Sequence, residues 1–333
     1  MDILNALVAI LNFVIIPAAA YGAQLALGAL GVTLVYGILR FSNFAHGDTM
    51  AFGTAVTILL TWGLQALGVT LTPLPTALLA LPVAIAFTAA LVLLTDRAVY
   101  RFYRRKKAAP IIMVMASVGI MFIMNGLTRL LIGVDEIRFD DGARFIISAG
   151  DFKRWSGLDE GLSLRGTQVI TLVTAFAVMV WLFWFLNRTR SGKAMRAYSD
   201  NEDLALLSGI DPERVVRLTW IIAAALATLA GTLYGLDKAF KAFNYFQILL
   251  PIFAAAIVGG LGSPQGAIAG GFVVAFSEVA VTYPWKKVAT YFGFQPEGLL
   301  QLLSTEYKFA VSFVILIVVL LFRPTGLFRG KSV

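Results

Sequence analysis

The side chains best able to handle a polar solute or a proton lie in one short segment, at Asn43, His46 and Asp48, between two long apolar stretches. An ionisable group inside a membrane segment is costly, so it needs a partner, water or a function. In one interpretation, Ser42 or Asn43 caps the helix that follows, and Asp48 lies near its positive end. In the other, a broken or re-entrant helix directs these groups toward a translocation pathway. The residues alone leave both interpretations open.

A second acid, Glu278, lies deep in an apolar stretch of the second half of the chain. It can form a buried hydrogen bond or ion pair that fixes helix packing, with Arg129 or Lys286 as candidate partner, or it can line the pathway. Proton coupling usually recruits a relay of ionisable groups, and one carboxylate does not make a relay.

Glycines in the same half recur at a spacing that favours close helix packing. A small residue every four positions forms a stripe that lets another backbone approach. The stripe and its neighbours are Gly259, Gly260, Gly262, Gly266 and Gly270. The Gly-Ser-Pro string at 262–264 also permits a discontinuous helix with exposed ends near the membrane midplane.

Residues for covalent or metal chemistry are scarce. The chain has no Cys and one His, which excludes disulfide frameworks, Cys-ligated zinc, iron–sulfur clusters and multi-His metal sites. It contains no P-loop, H-E-x-x-H or G-x-S-x-G motif. A hydrolase built from His46 with Ser42 or Ser277 is the remaining enzyme hypothesis. We expect the chain to be no enzyme and to bind no metal or cofactor itself.

The elements that position these residues are membrane helices. Of the 333 residues, 59% are hydrophobic and 14% are charged, and the mean hydropathy is +0.83, which is too apolar for a water-soluble domain. A spanning helix needs about 20 apolar residues. The uncharged stretches are 3–39, 49–95 divided at 68–75, 110–128, 166–187, 218–236, 249–277 broken at 259–264, and 309–322. We therefore predict one all-α polytopic membrane domain, residues 1–333, with about 8 to 10 transmembrane or membrane-entering helices.

The first apolar stretch is too long for one straight span, and Pro17 interrupts it. A cleaved signal peptide is disfavoured, because the stretch opens with Asp2 and has no Lys or Arg before its apolar part. We expect residues 5–39 to form a short membrane-entering helix followed by a full span, or one long kinked helix.

Basic residues indicate which loops are cytoplasmic. More than half of the 27 Lys and Arg lie in loops 96–109 and 187–217 and in the C-terminal tail, which carries Arg323, Arg329 and Lys331. The mixed-charge segments expected on the periplasmic side are 133–166, 237–247 and 284–308. Because the basic residues flank spans, membrane lipid accounts for the net charge of +8, and nucleic acid is excluded as a partner.

One segment of the second basic loop has the pattern of a short amphipathic helix. Asp200 or Asn201 can cap it, Glu202 and Asp203 lie in its first turn, and Gly209 can end it. Its expected apolar face carries Leu204, Ala205 and Leu207. Such a helix can lie in lipid headgroups or fit a groove on a soluble partner, and the residues favour neither.

Four short motifs follow one another along the chain. They are Asn43-Phe44-Ala45-His46-Gly47 after Val35-Tyr36-Gly37, Gly192-Lys193-Ala194-Met195-Arg196-Ala197 leading to Gly209-Ile210, Gly259-Gly260-Leu261-Gly262-Ser263-Pro264-Gln265-Gly266-Ala267, and Arg323-Pro324-Thr325-Gly326-Leu327-Phe328. In this order they resemble the motifs of permease subunits of branched-chain amino acid type ABC importers. The resemblance runs from about residue 21 to the C-terminus.

This resemblance implies an ABC importer permease fold in a bacterial inner membrane and transport of a small polar solute. Branched-chain or related amino acids are expected, and urea, short amides or aromatic solutes are the alternative within the family. The implied partners are a second homologous permease, two cytoplasmic ATPase subunits that use ATP and Mg, and a periplasmic solute-binding protein. A secondary transporter or a channel, each working without nucleotide, is the rival hypothesis.

The resemblance also implies roles for particular residues. Those of a coupling helix that docks into an ATPase groove would be Asp200, Glu202, Asp203, Ala205, Leu206 and Gly209. Asn43 and His46 would lie near the pathway, for which Asp48 and Glu278 are further candidates. Two features depart from the family pattern: the first 20 residues are longer than usual, and the segment 133–166 is large and charge-mixed. That segment could touch the binding protein, so the usual substrate is not assumed.

Overall fold

The structure, a computed structural model, describes residues 2–139, 141–142, 145–294, 298, 300–323 and 325–328. In chain order its α-helices are α1 (Asp2–Ile10), α2 (Ile16–Leu39), α3 (His46–Ala66), α4 (Ala77–Thr95), α5 (Arg101–Arg105), α6 (Pro110–Ile132), α7 (Ala149–Ser156), α8 (Gly166–Arg188), α9 (Arg190–Asp200), α10 (Glu202–Leu207), α11 (Pro212–Lys238), α12 (Ala242–Gly259), α13 (Pro264–Thr282), α14 (Lys286–Tyr291) and α15 (Lys308–Phe322). Two short antiparallel strands, β1 (Phe145–Ile147) and β2 (Leu164–Arg165), pair with each other.

Within these residues, nine helical segments are long and apolar enough to cross a membrane. Two of them join helices through a π-helical turn, at Leu11–Ile15 between α1 and α2 and at Asp96–Tyr100 between α4 and α5. The first span is therefore one continuous helix from Asp2 to Leu39, with Pro17 in the first turn of α2, where a proline is tolerated. The prediction of an all-α polytopic membrane protein is confirmed.

The breaks between consecutive helices lie where the turn-forming residues predicted them. α3 ends at Ala66 and α4 begins at Ala77, on either side of the turn-forming stretch 68–75. α12 and α13 are separated by Gly260 and Gly262, whose φ angles of 110° and 83° favour glycine. Ser263 then caps α13 by accepting a hydrogen bond from the Gly266 N–H.

The central helix is α2, which packs against α8, α11, α12 and α13. Between Ala18 and Ile38 its side chains are almost all buried. Glycines make the close approaches possible. A Cβ added at Gly28 would lie 2.6 Å from the Ile252 side chain, and one at Gly22 would lie 2.7 Å from Phe272.

The helices end in two groups of connections, which we name by charge. The basic end contains residues 40–45, 96–109, 189–211 and 260–263, and the opposite end contains the described residues of 67–76, 133–165, 239–241 and 283–307. Helix α5 extends the span of α4 to Arg105, so most of the basic segment 96–109 is the end of a helix. The terminal segment returns to the basic end, where the N–H groups of Leu327 and Phe328 donate to the carbonyls of Val258 and Gly259. Pro324, Arg329 and Lys331 lie outside the described residues.

Candidate functional site

The start of α3 is held by Asn43. Its Oδ1 accepts the Ala45 N–H at 3.1 Å and the Tyr100 hydroxyl at 3.2 Å. The neighbouring Phe44 N–H donates to Ser117 Oγ on α6 at 3.1 Å. Asn43 therefore satisfies a free N–H in the turn before α3 and links that turn to the end of the α4 span. It does not cap the helix as one interpretation expected, because the N-cap residue is Ala45 and no described side chain caps the first turn.

His46 and Asp48 lie in the first turn of α3, and 2% and 0% of their surfaces are exposed. Asn125 of α6 donates to Asp48 Oδ1 at 2.7 Å. The His46 ring lies against Gly31 of α2, where an added Cβ would be 2.5 Å from Cε1. Among the described residues neither His46 Nε2 nor Asp48 Oδ2 has a hydrogen-bond partner. A buried polar atom without a hydrogen-bond partner is costly. These two atoms are therefore available to bind a polar group.

Glu278 belongs to a separate cluster. The Ser312 hydroxyl on α15 donates to its Oε1, and Oε2 accepts no hydrogen bond from the described residues. The nearby positive charge that acts on Glu278 is Lys308, whereas Arg129 acts on Asp48. The packing partner is thus on α15, and neither Arg129 nor Lys286 fills that role.

A buried polar network at the basic end was missed by sequence reasoning. Asp96, 4% exposed, accepts from Arg104 Nη1 at 2.5 Å and from Trp220 Nε1 at 2.8 Å. The Trp220 ring stacks on Tyr100 with centroids 5.1 Å apart, and Tyr100 in turn bonds Asn43. The only signal in the sequence was an isolated acid among the basic residues of 96–109.

The same network reaches the amphipathic segment. Arg104 Nη2 lies 3.7 Å from Glu213 Oε2, and Arg101 Nε lies 3.2 Å from Glu213 Oε1. The Tyr198 hydroxyl donates to Glu202 Oε1 at 2.6 Å. Burial, together with this bond, raises the pKa of Tyr198 above its ordinary value, while the charge of Arg104 acts in the opposite direction. Side chains of α9, α5 and α11 thus form one cluster under α10.

Helix α10 has the capping that the sequence predicted. Asn201 Oδ1 accepts the Leu204 N–H at 3.0 Å, and Gly209 ends the segment with a φ of 79°. Glu202 and Asp203 lie in its first turn, and Asp200 is the last residue of α9.

The apolar residues of α10 divide between two faces. Ala205 is 3% exposed and faces the bundle. The exposed residues are Leu204 at 61%, Leu206 at 43% and Leu207 at 86%. The expected single face of Leu204, Ala205 and Leu207 is therefore wrong, because α10 rests on Ala205 and turns its leucines away from the bundle.

The glycine stripe makes backbone contacts between α12 and α13. A Cβ at Gly266 would collide with the Gly259 carbonyl, one at Gly259 with the Gly266 carbonyl, and one at Gly270 with the Ala255 carbonyl. Gly260 and Gly262 lie in the break itself. These positions bring two helices into backbone contact, which favours the packing interpretation. Elsewhere among the described residues, no group of three His, Asp or Glu is placed to hold a metal ion.

The chain is similar to known transport permeases over most of its length. The family described as the branched-chain amino acid transport system permease component matches residues 14–320. The high-affinity branched-chain amino acid transport system permease protein LivH of Escherichia coli K12 is 30% identical over 94% of this chain and 93% of its own. BraD of Pseudomonas aeruginosa PAO1, which has the same description, is 30% identical over 94% of both chains. A solved structure, PsaBC from Streptococcus pneumoniae in complex with Fab, matches 97% of this chain and 92% of its own at 16% identity, with a TM-score of 0.49.

Proposed function

Because this chain belongs to the family of branched-chain amino acid transport permease components, we propose that it carries branched-chain amino acids through the membrane for an ATP-driven importer. The match from residue 14 to residue 320 carries the proposal, because it begins before α2 and ends within the last turn of α15. The chain is a permease subunit and not an enzyme, and it is a multi-pass protein of the cell inner membrane.

The basic end is proposed to face the cytoplasm. It carries the basic residues of 96–109 and 187–217, which are retained on the cytoplasmic side of membranes. The segment 133–166, with β1, α7 and β2, would then be periplasmic and available to a solute-binding protein.

Helix α10 is proposed to be the coupling helix. Its caps give it the form of a short helix with fixed ends, and its exposed leucines can fit an apolar groove on a soluble partner. The chain has no P-loop, so ATP and Mg would be used by separate ATPase subunits. We propose two such subunits, a second homologous permease and a periplasmic binding protein as partners.

The cluster under α10 supplies a route for coupling. Movement of α10 acts on Glu202 and Tyr198, then on Arg104 and Asp96, and through Trp220 and Tyr100 on Asn43 at the start of α3. His46 and Asp48 follow in the next turn. Closure of the ATPase pair would thus change the orientation of the first turn of α3, which holds His46 and Asp48. We propose that this turn lines the pathway together with Glu278.

The proposal is tested by isolating the chain from its native membranes and identifying what co-purifies with it. We expect a P-loop ATPase and a second permease, and ATP-dependent uptake of labelled leucine after reconstitution with the binding protein. Uptake of urea or short amides instead of leucine would show that the solute belongs to the alternative class. Uptake by the chain alone without nucleotide would contradict the importer and indicate a secondary transporter or a channel.

A further inference from the structure

A cavity of about 530 Å³ lies at the opposite end of the bundle, where the function proposed above places the periplasm. Its walls are residues 235–239 at the end of α11, residues 165 and 167 at the start of α8, and the loop residues 136, 138, 139, 141 and 142. An antiparallel bridge between Ile137 and Phe240 holds that loop against the end of α11. Small-molecule sites commonly have volumes of about 300–1,000 Å³, so the cavity is large enough for a small solute.

The charges lining the cavity are balanced. They are three acids and three bases: Glu136, Asp141 and Asp237, and Arg138, Arg165 and Lys238. Asp141 is already engaged, since it accepts the Ala77 N–H at 2.7 Å and Gln65 Nε2 at 3.2 Å. A cavity of this composition favours neither a simple anion nor a simple cation.

Asp237 is the group that points to a ligand. Its side chain is only 5% exposed, and its Oδ1 has no hydrogen-bond partner among the described residues. Arg165 Nη1 lies 3.8 Å from that oxygen, which is beyond hydrogen-bond distance. Lys238 Nζ lies 3.3 Å from the other oxygen, Oδ2. Asp237 lines the cavity, so a bound donor beside its carboxylate can compensate for the hydrogen bond that the chain does not supply.

The two helix ends add opposite polarity to the same cavity. The positive end of α8, a helix of 23 residues, lies on one side at Arg165 and Thr167. The negative end of α11 lies on the other, and its last carbonyls come from the turn at Gly235 to Lys238. A molecule with an anionic group and a cationic group close together would satisfy both ends at once.

We propose that this cavity is a receiving site for the zwitterionic head of an α-amino acid. The ammonium group donates to Asp237 and the last carbonyls of α11, and the carboxylate accepts from Arg165 and the first turn of α8. The side chain extends into the remaining volume. This inference rests on the proposed function, because it gives the released solute a first site on the permease.

The test measures binding to the full chain in lipid nanodiscs, without ATPase or binding protein. The probes are leucine, 4-methylpentanoate, which lacks the ammonium group, and 3-methylbutylamine, which lacks the carboxylate. We expect saturable leucine binding, with each single-charge analogue bound at least about tenfold more weakly, since a hydrogen bond to a charged group commonly contributes at least one factor of ten. Analogues that bind as well as leucine, or no saturable leucine binding, would overturn the inference.

Two variants separate the halves of the site. Asp237→Asn should weaken leucine and 3-methylbutylamine about tenfold and leave 4-methylpentanoate unchanged. Arg165→Gln should weaken leucine and 4-methylpentanoate and leave 3-methylbutylamine unchanged. Asp135→Asn changes an exposed acid on the same loop that does not line the cavity, and should bind all three probes like the wild type. Because each variant keeps one probe unchanged, a misfolded protein is recognised by loss of all three.

Uptake by the complete importer distinguishes failure of this site from failure of the proposed function. ATP-dependent leucine uptake without any leucine binding to the isolated chain would overturn the site and leave the function standing. Leucine binding to the chain without leucine uptake by the complete importer would contradict the function and keep the site. A third result would also overturn the inference: the wild type binds no leucine, and Asp237→Asn no longer docks the binding protein. The cavity would then be a contact site for that protein.

Discussion

Asp96 joins the end of the α4 span to α11 through a single buried carboxylate. Arg104 and Trp220 both donate to it. A buried carboxylate is tolerated only when it is paired and hydrogen-bonded, so loss of a donor leaves an incompletely satisfied charge. The orientation of the Trp220 ring, and with it the stack on Tyr100, depends on this bond.

Trp220→Phe removes the Nε1 donor and keeps an aromatic ring. We expect a loss of about 1.5–3 kcal/mol in stability, because a hydrogen bond to a charged group is lost, together with fewer solutes transported per ATP hydrolysed. Thermal unfolding in detergent and the ratio of uptake to ATP hydrolysis measure the two effects. The control is Trp181→Phe on α8, where the Trp side chain is 48% exposed. Equal melting temperatures for the two variants would show that the Asp96 bond contributes nothing.

Gly266 tests the packing of α12 on α13. Gly266→Ala would place a Cβ against the Gly259 carbonyl, and we expect a cost of about 1–3 kcal/mol from overpacking. Gly119→Ala on α6 is the matched control, because nothing lies within 4 Å of an added Cβ there. The control should be neutral or slightly stabilising. Equal thermal stability of the two variants would contradict backbone contact at Gly266.

At the scale of an element, α10 is short and depends on its caps and on Ala205 for its position. Its leucines do not pack inside the chain, so they are free to contact a partner. This arrangement separates the folding of the segment from its binding surface. Changes at the exposed leucines should therefore affect docking and leave the bundle intact.

Leu207→Glu places a charge on the most exposed leucine of α10. We expect loss of ATPase co-purification and of ATP-driven uptake, with unchanged membrane insertion and thermal stability. Leu207→Met keeps an apolar side chain of similar volume and should behave like the wild type. Normal ATPase recovery with Leu207→Glu would remove α10 from the docking surface.

At the opposite end, Glu160 contacts α14 through its carboxylate and α1 through its backbone N–H. Lys287 Nζ lies 2.8 Å from one of its carboxylate oxygens, the Tyr291 hydroxyl donates at 2.5 Å, and Asn5 Oδ1 accepts the Glu160 N–H at 3.2 Å. Partial burial raises the pKa of Glu160, but the hydrogen bonds and the charge of Lys287 outweigh it and lower the pKa below its ordinary value. The same bond raises the pKa of Tyr291 to about 12.

The contact between the Glu160 carboxylate and α14 should weaken in acid. A carboxyl group with a depressed pKa in the folded state stabilises the fold fully above its unfolded pKa of about 4.3, and the stabilisation is lost as the pH falls through the folded value. We expect limited proteolysis to cut the loop 157–163 at pH 3 and not at pH 7. Glu160→Gln should make this cleavage equally fast at both pH values, and Asp151→Asn, a nearby exposed acid, should retain the pH dependence. A wild type cleaved equally at both pH values would exclude the Glu160 carboxylate as the contact that holds the loop.

For the whole molecule, the nine candidate spans among the described residues are an odd number, so in the proposed topology the first span begins and the last span ends on opposite sides of the membrane. Because the chain has no Cys, one introduced cysteine reports its side without background. We expect Lys153→Cys at the opposite end to react with an impermeant maleimide in spheroplasts. Lys106→Cys at the basic end should react only after the membrane is opened. The reverse labelling pattern would invert the proposed orientation.

The sequence by itself determined the membrane class, the division into spans and the caps of α10. These depend on local properties: uncharged length, turn residues such as Gly68 and Gly262, and side chains such as Asn201 that bond their own next turn. The family could be recognised too, because its four motifs are contiguous strings, and that recognition is confirmed by the match over residues 14–320.

Only the tertiary structure decided which polar groups meet. Asp96 and Trp220 are 124 positions apart, and Asp48 and Asn125 are 77 apart, so no periodicity along the chain relates them. Glu278 is a further example, because its hydrogen-bond partner is Ser312 on a neighbouring helix and not one of the two basic residues expected from the sequence. Burial forces each such group to find a partner, and the packing of helices distant in sequence determines which partner is within reach.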